Sequence, residues 1–299
     1  MRMKYDIYFH GGCFDGIASA AVIRYFLEHN GHTIGRLNHI TYPVDARAWN
    51  AMRFENPAAI VDTLYHPKAA IWFDHHPTAF LEARWQKKFI ADDLHKLDTA
   101  SPSCTGLVVR HITNTLRMPL PKRFHLLAKW LDIIDGNIAG YFRSSKAFFR
   151  TTTRPALRIH HTLWVCAALP YQQWLINAIT HKNLSAVARS DKVQRYIKKY
   201  TVGMNATLKR FEKIRRAGNV GFIEDKGDAI GATFAAYYHY PDLSYTVRVF
   251  NERGGGWKLH AGENPWRRHA SPASLRRDES ISARRGGVLI RILSQDRSR

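Results

Sequence analysis

The run Trp72-Phe73-Asp74-His75-His76-Pro77-Thr78 sets a carboxylate and two imidazoles directly behind an apolar stretch, Ala69-Ala70-Ile71-Trp72-Phe73. A short continuous apolar run reads as a strand buried on both faces. In open α/β sheets, ligands collect at the carboxyl ends of such strands. Three ionisable groups at that point are costly to bury unless a metal ion or an anion pairs with them. The same arrangement occurs twice upstream. Residues 5–10 read as a strand that delivers His10 into the turn Gly11-Gly12-Cys13-Phe14-Asp15-Gly16, and Ala58-Ala59-Ile60-Val61 reads as a strand ending in Asp62. Further along, Asp132 and Asp135 stand three residues apart near the end of a helical pattern, where they would share one helix face if the helix reaches that far.

Carboxylates and imidazoles gathered from neighbouring strand ends form a hard, oxygen-rich donor set with some nitrogen. That set suits Mn²⁺ or Mg²⁺ better than a structural zinc, which prefers more thiolate. Two such cations about 3.5–4 Å apart can activate a water between them and clamp the leaving oxygen of a phosphoryl group. One carboxylate must bridge the pair, and a short-armed Asp on a central strand can do so. The chemistry indicated is metal-assisted hydrolysis of a phosphate ester or anhydride.

Positioning these residues requires strands that all end at one edge. After the glycine turn the pattern becomes helical over 17–28, so the turn joins a strand to a helix whose first N–H groups face any anion held there. Residues 39–42 read as a further strand before Pro43. Strands at this spacing predict a parallel sheet with helices on both faces. Helical patterns follow at 78–88, at 103–117 behind the cap Ser101-Pro102-Ser103, and at 121–134. From about 156 to 217 helices dominate, and their many Lys and Arg read as a solvated face. Strand-like and short helical runs return after Gly218. The fold class predicted is therefore α/β: a parallel-sheet domain over 1–150, a helical connector over 151–217, a smaller α/β domain over 218–266, and a basic tail over 267–299 expected to be poorly ordered.

The 299 residues allow two domains with separate cores. No apolar run approaches the roughly 18 residues that span a bilayer, so no membrane partner is expected. The chain runs from Met1 into its first strand without a signal-peptide core, and Cys13, Cys104 and Cys166 have no paired spacing. A reducing cytoplasm fits both features. The net charge of +21 suits a polyanionic partner, with nucleic acid or a nucleotide as the expected substrate. Residues 265–299 contribute nine Arg against three acids to that charge. Oligomeric state is not legible.

His10-Gly-Gly-Cys13-Phe-Asp15-Gly16-Ile-Ala-Ser19, then Ile60-Val61-Asp62, then Phe73-Asp74-His75-His76-Pro-Thr78 resembles the ordered motifs of the DHH phosphoesterase superfamily. That superfamily includes single-strand-specific exonucleases, oligoribonucleases, cyclic-dinucleotide phosphodiesterases and manganese-dependent pyrophosphatases. The resemblance implies that His10 binds a first metal, Asp15 and His75 a second, and that Asp62 bridges them. It implies that His76 faces the scissile phosphate and that Asp74 orients the imidazoles. Either Asp132 or Asp135 fills the family's fourth motif. Many members carry Asp where this chain has Cys13, and the sequence looks closest to the subgroup with a His-x-x-Cys-x-Asp-Gly motif. There the thiol either ligates the first metal or packs behind the loop. Residues 254–262 resemble the core of the substrate-binding DHHA1 domain, but Trp257 follows the run Gly254-Gly255-Gly256 where the family has His. Arg248, Lys258, His260 and Asn264 are the substrate-gripping candidates. The function expected is a phosphodiesterase using two Mn²⁺ (or Mg²⁺) ions on short single-stranded nucleic acid or a nucleotide. A hydrolase of a small phosphate or pyrophosphate, and a catalytically silent nucleotide-binding member, are the alternatives.

Overall fold

Strands β1 (Lys4–His10), β2 (Thr33–Ile40), β3 (Ala58–Val61), β4 (Ile71–Asp74) and β5 (His95–Leu97) form a wholly parallel sheet in the order β2-β1-β3-β4-β5. The structure is a computed structural model that describes residues 2–251, 257–267 and 281–283. Strand order reverses between β1 and β3, which makes their carboxyl ends the topological switch point where such sheets bind ligands. His10 closes β1, Asp62 directly follows β3 and Asp74 closes β4.

Side-chain alternation with a period of two sorts the strand residues between two cores. Ile7, Phe9, Ala59, Val61, Ile71 and Phe73 face the larger one. Tyr8, Ala58, Ile60 and Trp72 face a smaller, aromatic one with Trp49 and Trp85. Burial of each large apolar side chain among them contributes roughly 1.5–3 kcal/mol. Helices α1 (Phe14–His29), α2 (Ala46–Ala51), α3 (Ala83–Lys88), α4 (Cys104–Asn114) and α5 (Lys122–Leu131) punctuate and follow the strands. A π-helical turn, Asp132–Gly136, ends α5. Then come α6 (Ile138–Tyr141), α7 (Ser145–Arg150), α8 (Pro155–Leu163), α9 (Leu169–His181), α10 (Leu184–Arg189) and α11 (Asp191–Arg210). Helix α1 is buried along most of its length and packs against both α4 and α9, as a helix apolar on nearly every side must.

By contacts the chain divides into two units, residues 1–143 with 147–202, and residues 144–146 with 203–299. Helices of the stretch expected as a separate connector thus belong with the first sheet up to residue 202. In the second unit β6 (Arg215–Ala217), β7 (Val220–Asp225), β8 (Tyr245–Asn251), β9 (Trp257–Glu263) and β10 (Ile281–Ala283) form a mixed sheet in the order β10-β9-β8-β7-β6. Only β7 and β8 run parallel, joined through α12 (Ala232–His239). The fold class is α/β: a five-stranded parallel sheet, a helical middle and a smaller mixed sheet.

Some expectations differ from the structure. The helix expected at 78–88 is formed only at Ala83–Lys88, because the turn after His76 continues through Leu81. The strand expected at 39–42 begins earlier, at Thr33, paired with β1. The glycine run Gly254-Gly255-Gly256 and most of the basic tail lie outside the described residues. Among the described residues, no helix is long and apolar enough to cross a membrane.

The first unit also buries an unusual titratable pair. His161 is fully buried, stacked on Tyr200 with centroids 4.4 Å apart and planes at 4°, and neither ring nitrogen has a hydrogen-bond partner. Burial holds its pKa well below the usual value and holds that of His160 at about 4. Unfolded, both titrate near ~6.5, so the unfolded chain binds more protons below that pH and stability falls as pH drops. Acidification from pH 7 to pH 5 is therefore expected to lower stability, with His161 contributing to the loss. Urea midpoints at the two pH values test this: His161→Phe is expected to lose correspondingly less stability on acidification than the wild type.

Candidate metal centre

The glycine turn after β1 brings α1 up against the end of its own strand. A Cβ at Gly16 would run into the backbone of His10, so only glycine permits this approach. Gly12 has φ +75°, and its N–H donates to the buried Gln172 Oε1 at 2.9 Å. The turn therefore fixes His10, Cys13 and Asp15 relative to one another. Asp62 follows β3 with φ 57°, in the left-handed region, and its N–H donates to Phe73 O at 2.9 Å. A non-glycine residue held there costs of order 1–3 kcal/mol, and such positions concentrate at functional sites.

The N-terminus of α4 clamps Asp15. The N–H groups of Cys104 and Thr105 donate to its two oxygens at 2.6 and 2.9 Å, and the Thr105 hydroxyl donates to Oδ1 at 2.6 Å. Helix N–H groups and the helix dipole favour a carboxylate at that position. Ser103 caps the helix through the Gly106 N–H at 2.9 Å and donates its own hydroxyl to Asp132 Oδ1 at 2.6 Å. Asp132 Oδ2 accepts from Arg110 at 2.8 Å. Spacing places Asp132 and Asp135 on one helix face, but they lie on the wider π-helical turn, and their carboxylates go to different partners. Asp132 stays with Ser103 and Arg110, whereas Asp135 reaches His75.

His75 stands at the centre. Its Nδ1 lies 3.1 Å from the Ser101 carbonyl, which fixes the proton on that nitrogen and turns Nε2 toward three carboxylates. Those are Asp15 at 3.6 Å, Asp62 at 3.5 Å and Asp135 at 3.5 Å. His76 Nδ1 lies 3.9 Å from the same Asp62 oxygen as His75, and His10 Nδ1 lies 3.5 Å from the other one. Donor atoms of His10, Cys13 and Asp62, of Asp62, His75 and His76, and of Asp15, His75 and Asp135 fall within 4.8 Å of one another in each group. Asp74 sits behind the cluster, accepting from His76 Nδ1 and from the His75 N–H, both at 2.8 Å.

Asp62 is 1% exposed, yet neither of its oxygens has a hydrogen-bond partner among the described residues; the same holds for His10 Nδ1 and His75 Nε2. Buried polar atoms are nearly always satisfied, and leaving a buried carboxylate without a partner is expensive. Donors that face one another at about 3.5 Å without hydrogen-bonding fit a divalent cation between them. The electrostatics agree. Burial pushes Asp62 up, but His10, His75 and His76 outweigh it and hold its pKa below the usual carboxylate range. Burial, with the charges of Asp62 and Asp135, holds Asp15 well above that range. Burial opposes charging of His75, but Asp62, Asp15 and Asp135 prevail and raise it to about 10. His76 is raised to about 9 because Asp74 outweighs burial. Burial of the Cys13 thiol, then the surrounding carboxylates, pushes it well up, so it is neutral without a metal.

The second unit treats its candidates differently. Arg248 is an ion-pair partner of the buried Asp225 and lies over the Phe250 ring at 4.3 Å, so its guanidinium is already committed. Asn264 is fully buried, donating to the carbonyls of Leu243 at 2.7 Å and Pro241 at 3.3 Å, and accepting from the Trp266 N–H. It organises a turn and is not available to substrate. Half-buried His260 pairs in register with Arg248, and Lys258 with Phe250, across β8 and β9. Sequence reasoning missed Ser103 and Thr105 as supports of Asp15, although the cap at 101–103 marked the helix end they occupy.

No protein-family model matches the chain, and no curated protein matches it in sequence. Solved structures do. A pGpG-specific phosphodiesterase, PggH from Vibrio cholerae, superposes with a TM-score of 0.64 at 14% identity over 89% of this chain and 84% of its own. The exonuclease RecJ bound to manganese gives 0.54 at 13% identity over 86% and 77%. RecJ from Thermus thermophilus in complex with Mn²⁺ gives 0.55 at 12% identity over 86% and 44%. The chain shares the fold of these solved phosphodiesterase and exonuclease structures.

In the metal-free protein at neutral pH the His75 imidazole carries a proton that any cation taking Nε2 must displace. Mn²⁺ binding is therefore expected to release about one proton through His75 and to tighten as pH rises from 7 toward about 10. Calorimetry in buffers of different ionisation enthalpy measures the release, and His75→Gln should reduce it by about one proton.

Proposed function

We propose that the chain is a metal-dependent phosphoesterase that hydrolyses a phosphodiester in short single-stranded nucleic acid or a nucleotide. The observation that carries this reading is the Asp62 carboxylate, buried, without hydrogen bonds, and set between two groups of donors. His10 and Cys13 with Asp62 would hold one Mn²⁺ ion, and Asp15, His75 and Asp135 with the same Asp62 the other; Mg²⁺ suits the oxygen donors as well. The ions, when bound, supply an activated water and neutralise charge on the phosphoryl group.

The chain's own residues supply the rest. Asp74 holds the His76 ring through Nδ1, which leaves Nε2 as the donor turned away from that carboxylate. Raised to about 9, His76 is an imidazolium at neutral pH and can stabilise negative charge building on a phosphoryl oxygen. Asp74 is a positioning residue for both imidazoles through its two contacts. Ser103 and Thr105 hold the end of α4, and through it Asp15. Arg248 and Asn264 are engaged within their own unit, and His260 and Lys258 are proposed as substrate contacts on side-chain chemistry alone. The solved structures with the same fold include a pGpG phosphodiesterase and an exonuclease, and the net charge of +21 supports a nucleic-acid or nucleotide substrate over a small phosphate.

Turnover of a dinucleotide, a cyclic dinucleotide and pyrophosphate with Mn²⁺ tests the reading. Asp62→Ala is expected to abolish turnover, and His76→Ala to lower kcat by roughly 10²–10³ with little change in KM. Full activity in Asp62→Ala would refute the mechanism, and preference for pyrophosphate would refute the substrate class.

A further inference from the structure

Away from the carboxylate–imidazole cluster, a pocket of about 330 Å³ opens between the start of α8, α10 and the start of α11. Its lining includes Thr153, Pro155, Arg158, Ser185, Arg189 and Gln194, with two guanidiniums and two hydroxyls and no carboxylate. The volume falls within the range of small-ligand sites, roughly 300–1,000 Å³. Arg158 is held in place: Nη1 donates to Thr152 O at 3.2 Å and Nη2 to Gln194 Oε1 at 2.8 Å. Gln194 is fixed in turn by its donation to Ala188 O at 2.8 Å. A guanidinium has five N–H donors, so most of the Arg158 fork is still available in a fixed orientation. Arg189, on the exposed side of the pocket, makes no hydrogen bond, ion pair or ring contact among the described residues. The first turn of α8 also has no side-chain cap and carries Pro at its start, leaving its N–H groups to an outside acceptor.

Two like charges lining one pocket with no acid between them call for an anion. The helices that border the pocket are basic as well. Residues 182–199 hold six Lys and Arg against one acid, Asp191. Exposed Lys192, Arg195 and Lys199 follow one another at spacings of three and four along α11, on one face. Lys192 lies over the Trp174 ring at 5.0 Å and Lys199 near the Tyr196 ring at 5.7 Å. Alternation of cations with aromatic faces is what a single strand needs for backbone attraction and base stacking.

We propose that this pocket is a second nucleic-acid subsite, in which Arg158 and Arg189 clasp a backbone phosphate of a single strand drawn in by the basic exposed face of α11. The inference rests on the phosphoesterase reading only for its choice of a nucleic-acid strand as the carrier of the phosphate. Binding of a fluorescent single-stranded 12-mer to the full chain, in chelator and over a series of salt concentrations, tests it without catalysis. Arg189→Gln, at an exposed position, is expected to weaken binding several-fold and to reduce the salt slope by about 0.7. Arg158→Lys keeps the charge but loses the fork, and should also weaken binding. Lys87→Gln, on α3, should change neither quantity. Wild-type affinity and slope in both arginine variants, or an equal loss in Lys87→Gln, would overturn the proposal. The two readings fail separately: a strand bound through these arginines but never hydrolysed would sink the phosphoesterase reading alone. Hydrolysis with unchanged binding by the variants would sink the subsite alone.

Discussion

Three carboxylates, those of Asp15, Asp62 and Asp135, crowd the Nε2 atom of His75 within 3.6 Å, and two of them are only 1% exposed. Like charges at such separations repel strongly where water cannot screen them. One imidazolium balances one of them, and burial, together with the charges of Asp62 and Asp135, raises the pKa of Asp15. The fold tolerates this because each carboxylate is anchored from behind. The α4 amides hold Asp15, the backbone of β4 holds Asp62 in its left-handed conformation, and the π-helical turn delivers Asp135. Anchoring fixes the donors in mutual repulsion, which is the condition under which divalent cations bind most favourably.

The rest of the first unit follows from that requirement. A parallel sheet whose order reverses between β1 and β3 puts His10 and Asp62 at adjacent strand ends, with the Asp74–His76 segment on the next strand. The larger core, with α1 packed against both α4 and α9, backs those strands from one face. Asp132 has no place in the donor groups, yet it belongs to the same machinery. It holds Ser103, which caps the helix whose amides grip Asp15. A residue two contacts away from the cluster thus bears on the position of a donor inside it.

Much of this is legible in the sequence, and for a physical reason. Strands buried on both faces are continuous apolar runs, so Ile60-Val61-Asp62 and Trp72-Phe73-Asp74 announce both the strand and the group it delivers. β5 is not legible: His95-Lys96-Leu97 is three residues long, polar and at the sheet's edge, where little burial is demanded. The clamp on Asp15 joins residues about ninety positions apart, beyond any local pattern. Spacing alone could not separate Asp132 from Asp135, because the choice depends on a π-helical turn that no residue type marks. Arg248 and Asn264 have side chains well suited to phosphate, but Asp225 and the carbonyls around Leu243 claim them. Residue type shows what a side chain can bind, and tertiary structure decides what it does bind.

That divalent cations occupy the space between these anchored donors is the claim most directly open to measurement. Anomalous scattering at the manganese edge from crystals grown with Mn²⁺ would locate them. Two peaks are expected, one bounded by His10, Cys13 and Asp62 and the other by Asp15, His75 and Asp135, with Asp62 reaching both. A map in which the cluster holds no anomalous peak while all six of these side chains keep their positions would contradict the account.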